Sequence, residues 1–394
     1  MAERIAITSI GIISSLGMNV AENLDSLLQK KSGIGAMELL DSIHKDIPVA
    51  EVKKSDNDLA KILGIKNPEN YTRTTLLAML AAREAWKESP TSSSIKTGLI
   101  SSTTVAGMRT SEKHYVDFKK GISDGAFIHT HDAGDSTEKI ANDLGIKDFI
   151  TTISTACSSS ANAFMLASRM LGSKKLDRVM VGGVDALSLF TLNGFKSLMI
   201  LDQEPCKSFD QNRAGLNLGE AAAYLVLKRE SDLSEDEKVY AYLSGFANAN
   251  DAYHQTASSP DGNGAGMAMQ RALEMANLKA SDIDYINAHG TATHNNDLSE
   301  GLAIMKVFGD AIPPVSSTKP FTGHTLAAAG AVEAVFVALA LENQIIYPNL
   351  NFSTQMEELS FSPHTEILKK PLKHVLSNSF GFGGNNSSLI FSKD

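Results

Sequence analysis

The stretch TISTACSSSANAF, residues 152–164, joins two segments of different periodicity and contains one of only two cysteines in this 394-residue chain. The segment that leads into it, DFITTIS, is β-branched and aromatic, which predicts a strand. The segment that follows places Ala161 and Phe164 at helical spacing, with Gly172 as a stop signal. Cys157 is therefore predicted at a strand-to-helix turn, near a helix N-terminus.

A cysteine in this position has two interpretations. The backbone N–H groups at a helix N-terminus point outward and the helix dipole favours an anion, so the turn would lower the pKa of the Cys157 thiol and raise its thiolate fraction. The alternative is a small, buried cysteine packed at a tight turn, which is common in proteins. Position alone favours the structural cysteine, so the choice depends on the rest of the chain.

Composition excludes several classes of protein. The chain is 43% hydrophobic and 21% charged, as in globular proteins, and its length suits two domains or two halves. No apolar run approaches the roughly 20 residues of a membrane span, and the start MAERIAITSIGIISSLG lacks the layout of a signal peptide. Two cysteines cannot form a disulfide framework, which favours the cytoplasm. A net charge of −9 argues against general nucleic-acid binding.

Short apolar strands alternate with helical segments, which predicts an α/β fold with sheets buried between helices. The first half contains the strands IAITSIGIIS, TGLISSTTV, RVMVGGVDAL and AYLVLKR and the helices TTLLAMLAAREAWKE and STEKIANDLG. We predict that Ser136 caps the second helix and that Gly145 ends it. The charged stretch SDLSEDEK, residues 231–238, is predicted as a surface turn.

After this turn the pattern restarts, which divides the chain into halves at 1–236 and 237–394. The second half contains the predicted strand VYAYLSGFANAN, the helix GAGMAMQRALEMANL, the strand and loop DIDYINAHGTAT, the strand PPVSSTK, the buried helix LAAAGAVEAVFVALALEN and the closing hairpin VLSNSFGFGGNNSSLIFS. The halves resemble each other in the order of elements and not in residues, so the sequence only suggests a duplication.

Three loops of the second half accompany Cys157. They are NAHGTATHNND with His289, SSTKPFTGHTLAAAG with Lys319 and His324, and NSFGFGGNNSS with its paired glycines. Each loop alone is weak evidence for a function. The segment GFGGNN matches neither the G-x-G-x-x-G nor the Walker pattern of nucleotide-binding proteins. Together and in this order, the four motifs resemble the β-ketoacyl-acyl-carrier-protein synthases, in the Cys-His-His branch of the thiolase superfamily. The resemblance runs from ITSIGIISSLG to NSFGFGGNNSSLIF and includes KSFDQNRAGLNLGEAAAYLVLKR.

The resemblance implies the thiolase fold, a duplicated, five-layered αβαβα sandwich. Its N-terminal half, 1–236, would carry the nucleophile, and its C-terminal half, 237–394, the two catalytic histidines. Cys157 would take an acyl group from the thioester of a carrier protein. His289 and His324, as neutral imidazoles, would donate N–H groups to the malonyl thioester carbonyl as it becomes enolate-like.

Other roles follow from the same resemblance. Lys319 would orient His324 together with Glu333, and Asp297 is retained in the His289 loop. The N–H groups of Cys157 and Phe382 would form the oxyanion hole, and Phe382 would act as a gate. Gly381, Gly383 and Gly384 would permit the close turn at this gate. No metal or organic cofactor is expected, because decarboxylation drives the condensation.

Two further sets of residues concern substrate and partner. The residues expected in or near the acyl pocket are Val105, His131, Phe195 and Phe380. Carrier proteins are acidic, so docking is expected on Lys and Arg side chains at the pocket mouth. The candidates are Lys61, Lys66, Arg73, Lys119 and Lys120.

The chain departs from the family pattern at a few positions. The His289 loop has Ala292, His294, Asn295 and Asn296 where the family has small residues and Pro. The stretch FIHTHDAGDS, apolar in relatives, carries His129, His131 and Asp132. This stretch is interpreted as hydrogen bonding at a surface or interface, as a pocket made polar on one side, or as a metal site. Asp202 and Glu204 lie where relatives are more basic.

The sequence thus predicts a cytoplasmic, decarboxylating 3-oxoacyl-carrier-protein synthase, an acyltransferase acting as a homodimer or heterodimer. A thiolase would show a second cysteine in the last glycine-rich loop, and a priming synthase would replace His324 with Asn. Two alternatives remain. One is a specialised polyene or polyketide ketosynthase with a chain-length-factor-like partner. The other is a silent subunit that binds carrier protein, which the four residues Cys157, His289, His324 and Lys319 argue against.

Overall fold

Ten strands form the central sheet of the computed structural model, which describes residues 3–86, 95–122 and 125–394. The strands of the first half are β1 (Ile5–Ser14), β2 (Ile34–Gly35), β3 (Val49–Ala50), β4 (Thr97–Ser102), β5 (Phe149–Ile153), β6 (Arg178–Asp185) and β7 (Ala221–Arg229). Those of the second half are β8 (Ala241–Asn250), β9 (Tyr285–Asn287), β10 (Val315–Ser316), β11 (Ile345–Ile346), β12 (Leu368–Lys369), β13 (His374–Gly381) and β14 (Asn385–Ser392).

Helices flank these strands. In the first half they are α1 (Val20–Leu28), α2 (Asp56–Leu63), α3 (Arg73–Trp86), α4 (Met108–Lys119), α5 (Ala133–Leu144), α6 (Ser159–Gly172) and α7 (Leu189–Ser197). In the second half they are α8 (Asn263–Ala276), α9 (His294–Phe308), α10 (Lys319–Thr322) and α11 (Ala329–Asn343). Three 3₁₀ turns matter for the site, at Ile128–His131, Leu326–Ala328 and Phe382–Gly384.

The two halves have the same topology. The strand order in the central sheet is β10-β9-β13-β14-β8 in the second half and β5-β4-β6-β7-β1 in the first. Each half contributes five strands to this sheet. Counted along the chain, they lie side by side in the order third, second, fourth, fifth and first. The pairing repeats as well, with parallel pairs β4–β5 and β9–β10 and antiparallel pairs β6–β7 and β13–β14. The first strands of the two halves, β1 and β8, pair antiparallel at the junction. The duplication that the sequence only suggested is therefore present in the fold.

Apolar clusters fill the spaces between five layers. The largest lies between the two half-sheets, where α6 and α11 contact strands of both. A second cluster packs α3 and α5 against the outer face of the first half, and a third packs α8 and α9 against the second half. The predicted αβαβα sandwich is confirmed.

The central helix α11 is apolar on all sides because it is enclosed by both half-sheets. With the preceding turn it spans Leu326–Asn343 and has a mean hydropathy of 1.6, enough by length and composition alone to cross a membrane. However, 89% of this segment is buried inside the fold, so its apolar character is explained by the core.

The structure corrects the start of one predicted helix and does not describe the end of another. Helix α5 begins at Ala133, because the Asp132 side chain accepts a hydrogen bond from the Gly134 N–H, so the predicted Ser136 cap is wrong. Gly145 ends this helix in the left-handed conformation, as predicted. The last two residues of the predicted helix TTLLAMLAAREAWKE lie outside the described residues.

Candidate active site

Cys157 lies in the turn between β5 and α6, as the sequence predicts. Ala156, one residue earlier, has a φ of 53°, which is uncommon for a residue other than glycine. The turn is held by the Thr155 N–H, which donates to Ser159 Oγ at 2.8 Å. The Cys157 side chain is buried but borders a cavity of about 260 Å³. This tight turn directs the sulfur toward the second half of the molecule.

The two predicted histidines meet the sulfur from separate loops. His324 follows α10, and its Nε2 lies 3.0 Å from Cys157 Sγ. The ring of His289, which follows β9, is 5.3 Å from the His324 ring and perpendicular to it. Phe380 on β13 covers the His289 ring at 5.8 Å. The fold therefore brings one thiol and two imidazoles from distant parts of the chain to the same cavity.

Both imidazoles are uncharged at neutral pH. Burial, and then the positive charge of Lys319, lower the pKa of His289 and of His324 well below the usual value. Among the described residues, the buried Nδ1 atoms of both rings have no hydrogen-bond partner. No second contact therefore fixes the tautomer, and Nε2 is free to donate or to accept a proton.

The cysteine differs from the sequence prediction in its charge. Burial raises the pKa of the Cys157 thiol to about 11, although Lys319 and the N–H groups of Phe382 and Cys157 act in the opposite direction. Desolvation of the anion thus outweighs the favourable position before α6. Burial therefore opposes the expected thiolate and favours an uncharged thiol beside an uncharged His324.

Alkylation by iodoacetamide tests this state. We expect Cys157 to react in preference to Cys206, because Cys157 borders the cavity whereas Cys206 is packed inside the fold. The rate should keep rising with pH through pH ~9 without a plateau, since the thiolate fraction grows until the pKa is passed. Mass spectrometry of the tryptic peptides measures both rates. A plateau near neutral pH would show that the thiolate is already present at rest.

The last glycine-rich loop closes over the sulfur. The N–H groups of Phe382 and Cys157 both act to lower the pKa of the Cys157 thiol, and their role as an oxyanion hole stays a prediction. A Cβ on Gly381 would lie 3.1 Å from the Cys157 nitrogen, so only glycine allows this approach comfortably. The half-buried ring of Phe382 stacks on Phe195 of α7 at 5.6 Å, and both rings line the cavity.

Lys319 and Glu333 form a buried ion pair behind the histidines. Lys319 Nζ lies 2.6 Å from Glu333 Oε1, and both side chains are almost fully buried. Burial raises the pKa of Glu333, and Lys319 opposes that shift. The cation does not hydrogen-bond His324, so it acts on the imidazoles through its charge.

Two carboxylates hold the His289 loop. Asp297 accepts from the N–H groups of Ala292 and Phe209. Glu300, one turn further along α9, accepts from the His289 and Gly290 N–H groups at 2.9 and 2.8 Å. Burial raises the pKa of Glu300 to about 7. The sequence analysis missed Glu300, although its position three residues after Asp297 places both acids on one face of a helix.

Asp185, at the end of β6, was also missed. Its buried carboxylate accepts from Thr103, Thr104 and Ala327, which ties the loop after β4 to the loop after His324. Burial raises its pKa. An acid inside an apolar strand is the sequence signal that could have marked it, since such groups are buried only with partners.

The expected pocket residues divide into two groups. Phe195 and Phe380 line the cavity. Val105 instead packs in an apolar cluster with Leu187 and Leu192. His131 is exposed in the turn after α4 and does not line the cavity, and its Nδ1 hydrogen-bonds Ser111 Oγ at 2.8 Å. Its expected place in an acyl pocket across a dimer interface stays a prediction.

The expected docking residues also divide. Lys61, Lys66, Lys119 and Lys120 are exposed, as docking requires. Arg73 is not, because its side chain is buried and binds the equally buried Glu220 through three hydrogen bonds of 2.6 to 3.1 Å. The docking role for Arg73 is therefore wrong, and the residue anchors α3 instead.

The polar stretch after α4 shows no sign of a metal centre. His129, His131 and Asp132 are all exposed, and within residues 3–86, 95–122 and 125–394 no three His, Cys, Asp or Glu side chains are grouped closely enough to bind a metal ion. Of the substituted residues in the His289 loop, His294, Asn295 and Asn296 line the cavity mouth, so they lie where a substrate enters.

Comparison with known proteins agrees with this site. The family model for the beta-ketoacyl synthase N-terminal domain matches residues 2–233, and that for the C-terminal domain matches residues 240–353. A 3-oxoacyl-[acyl-carrier-protein] synthase 2 of Staphylococcus aureus is 31% identical over 409 residues, covering 99% of this chain and 98% of the relative.

Two solved structures are similar over the whole chain. The ishigamide ketosynthase/chain length factor has a TM-score of 0.93 at 27% identity, with 100% of both chains covered. The ketosynthase ApeO, solved in complex with its chain length factor ApeC from Xenorhabdus doucetiae, has a TM-score of 0.87 at 30% identity, covering 100% of this chain and 98% of the other.

Proposed function

Because the chain belongs to the beta-ketoacyl synthase family, we propose that it is a decarboxylating 3-oxoacyl-[acyl-carrier-protein] synthase that lengthens an acyl chain by two carbons. One observation carries the proposal. His324 Nε2 lies 3.0 Å from the Cys157 sulfur, with a second neutral imidazole beside it and two backbone N–H groups that act to lower the pKa of the same thiol. This arrangement suits both an acyl-enzyme and an enolate.

Acyl transfer is the first step. Sγ of Cys157 attacks the carbonyl carbon of the acyl thioester, and the N–H groups of Cys157 and Phe382 stabilise the oxyanion. The bond between the acyl carbon and the carrier's sulfur then breaks, and the thiol proton ends on that departing sulfur. Because the pKa of His324 is lowered well below its usual value, His324 does not hold this proton as a stable imidazolium.

Decarboxylation follows at the same cavity. The bond between the malonyl carboxylate and the neighbouring carbon breaks, carbon dioxide leaves, and the electron pair moves into the thioester as an enolate. His289 and His324 donate N–H groups to the enolate oxygen, and the charge of Lys319 stabilises it further. Loss of carbon dioxide drives the step, so the scheme requires no redox cofactor.

Condensation closes the cycle. The enolate carbon attacks the acyl carbonyl on Cys157, a carbon–carbon bond forms, and the bond to the sulfur breaks. The departing thiolate takes up a proton, because burial keeps the pKa of this thiol at about 11. The test is incubation with acyl-loaded and malonyl-loaded carrier protein, in which mass spectrometry must detect a 3-oxoacyl product two carbons longer. Absence of this product with a panel of acyl groups would refute the proposal.

Glutamine in place of Cys157 separates the two chemical steps. We expect Cys157→Gln to lose condensation while decarboxylation of malonyl-carrier stays intact or increases, because the amide resembles an acylated cysteine and the histidines are unchanged. The release of carbon dioxide measures this. In the matched variant Cys157→Gln/His324→Ala, decarboxylation should fall about 10²-fold, since one donor to the enolate is lost. Loss of decarboxylation in well-folded Cys157→Gln would contradict the division of roles.

We propose that the protein works in the cytoplasm as a dimer with a second copy or a related subunit. In support, β5 is an edge strand of the sheet, and α5 contacts both β5 and the turn Ile128–His131. The neighbouring α4 exposes Tyr115 and Val116, and the turn exposes Ile128. An open edge beside exposed apolar side chains suits pairing with another subunit. His129 and His131 would then lie at this interface.

A second candidate is a specialised ketosynthase that works with a chain length factor. The observation that favours it is the TM-score of 0.93 to the ishigamide ketosynthase/chain length factor, together with the polar residues of the turn Ile128–His131. Purification alone and with candidate partner subunits would distinguish the two. Full activity as a homodimer favours the general synthase, and activity only with a related, cysteine-free partner favours the specialised one.

A further inference from the structure

One apolar side chain projects into solvent at the mouth of the active-site cavity. Met199 follows α7 and is 88% exposed, yet it borders the same cavity as Cys157. Its neighbours Phe195 and Ile200 also line this cavity, and Leu198 is 41% exposed. A large apolar side chain this exposed loses the hydrophobic stabilisation that burial would give, unless a partner covers it.

The backbone of Met199 is held in an unfavourable conformation. Its φ is 56°, in the left-handed region that favours glycine or asparagine at the end of a helix. The Met199 N–H donates to the Lys196 carbonyl at 2.9 Å, which closes the last turn of α7. Residues other than glycine keep such a conformation at a cost, and Lys30, Lys174 and Gln344 do the same after α1, α6 and α11.

The segment around Met199 is fixed rather than loose. The Leu216 N–H donates to the Ile200 carbonyl at 2.9 Å, and the Asp202 N–H donates to the Leu216 carbonyl at 3.0 Å. A Cβ on Gly215 would lie 2.5 Å from the Ile200 oxygen, so the two segments are in close contact. Met199 is therefore presented between a helix end and an anchored strand-like segment, which lowers the entropy that a partner must remove on binding.

The nearest cation to Met199 along the chain, the exposed Lys196 in the last turn of α7, does not line the cavity. Among the described residues that line the cavity there is no Lys or Arg, and the chain after Met199 continues with Asp202 and Glu204. The exposed lysines expected to dock an acidic partner lie elsewhere on the chain, on α2, after α2 and at the end of α4. A protein that sits directly on the mouth thus meets the apolar Met199 beside the polar, uncharged side chains of Asn295 and Asn296.

We propose that Met199, with Leu198, is the contact on which the acyl carrier protein docks at the cavity mouth. The inference rests on the proposed function, in which the substrate reaches Cys157 on an arm attached to the carrier. Because Cys157 is only 5% exposed, the arm must pass through the mouth, and the carrier surface must then lie on its rim. A flexible, unbranched methionine can fit such a transient partner.

The experiment compares two donors of the same acyl group, hexanoyl-loaded bacterial acyl carrier protein and hexanoyl-pantetheine. We expect Met199→Ala to raise the KM for the loaded carrier about tenfold, the effect of losing one buried apolar side chain, and to leave acylation by hexanoyl-pantetheine within about twofold. Met275→Ala, which removes an equally apolar side chain that is 53% exposed on α8 and not part of the cavity, should change neither rate.

Met199→Gly separates docking from structure. Glycine relieves the left-handed φ, so the melting temperature should not fall, while the KM for the loaded carrier should still rise. A KM for the carrier that stays within about twofold in both variants would overturn the proposal, as would an equal loss with hexanoyl-pantetheine, which would place Met199 in the acyl-binding cavity. If the wild-type protein is acylated by neither donor, the proposed function itself fails and this inference falls with it.

Discussion

Alanine in place of Cys157 should abolish condensation, with a fall in rate of about 10⁴-fold or more, the scale seen when a covalent nucleophile is removed. The expected result follows from the site, since Sγ is the only thiol among the described residues that borders the cavity. The fold should survive at a cost of about 1 kcal/mol, because only a sulfur atom is lost from a side chain at a cavity wall. Mass spectrometry should find no acyl group on the variant after incubation with an acyl-loaded carrier.

Cys206→Ala is the matched control. Cys206 is buried, and its backbone N–H donates to Asn217 Oδ1 at 2.8 Å, a bond that survives the substitution. Burial raises the pKa of its thiol to about 12, so it offers no thiolate at neutral pH. This variant should be acylated like the wild type. Elongation at the normal rate by Cys157→Ala, or an acyl group found on Cys206, would show that the nucleophile is wrongly assigned.

The position of the site could be read from the sequence because each part depends on local chemistry. A β-branched strand, a run of small residues and an amphipathic helix fix the turn at Cys157 within a few residues. The glycines at the end of β13 and just after it mark where the chain needs a close-packed or left-handed backbone, as Gly381 and Gly383 do respectively. The contact between His289 and His324 could be predicted only from the family resemblance, because no local pattern encodes a contact between loops that are distant in sequence.

The charge of the site could not be predicted in the same way. A helix N-terminus lowers a thiol pKa, but the size of the opposing desolvation depends on how completely the surrounding loops enclose the sulfur. Burial of Cys157 is produced by parts of both halves, including the loop at Gly381 and the ring of Phe382. The same limit explains why the docking role predicted for Arg73 is wrong. Its position at the start of α3 resembles that of an exposed cation, and its partner, Glu220, is far away in the chain.

Removal of Lys319 should have the second large effect, because it leaves a buried carboxylate without its cation. We expect Lys319→Met to lose about 3–5 kcal/mol of unfolding free energy, the cost of breaking a buried ion pair from one side. Glu333 would then be protonated in the folded protein, since burial already raises its pKa and Lys319 would no longer oppose that shift. Chemical denaturation measures the loss, with Lys30→Met, which removes a half-exposed lysine paired with the exposed Glu366, as a control expected to cost about 1 kcal/mol or less.

The double variant Lys319→Met/Glu333→Leu distinguishes a structural pair from a functional charge. Stability should return to within about 1 kcal/mol of the wild type, because two apolar side chains replace the pair without leaving a buried charge. Malonyl decarboxylation should nevertheless stay at least about tenfold low, since the enolate has lost the field of the cation. The pKa of His289 and of His324 should rise once Lys319 no longer lowers it, so protonation of the imidazoles would begin at a higher pH and the acid limb of the pH–rate profile would move upward. A stable double variant with the wild-type rate and an unchanged profile would leave the pair a purely structural role.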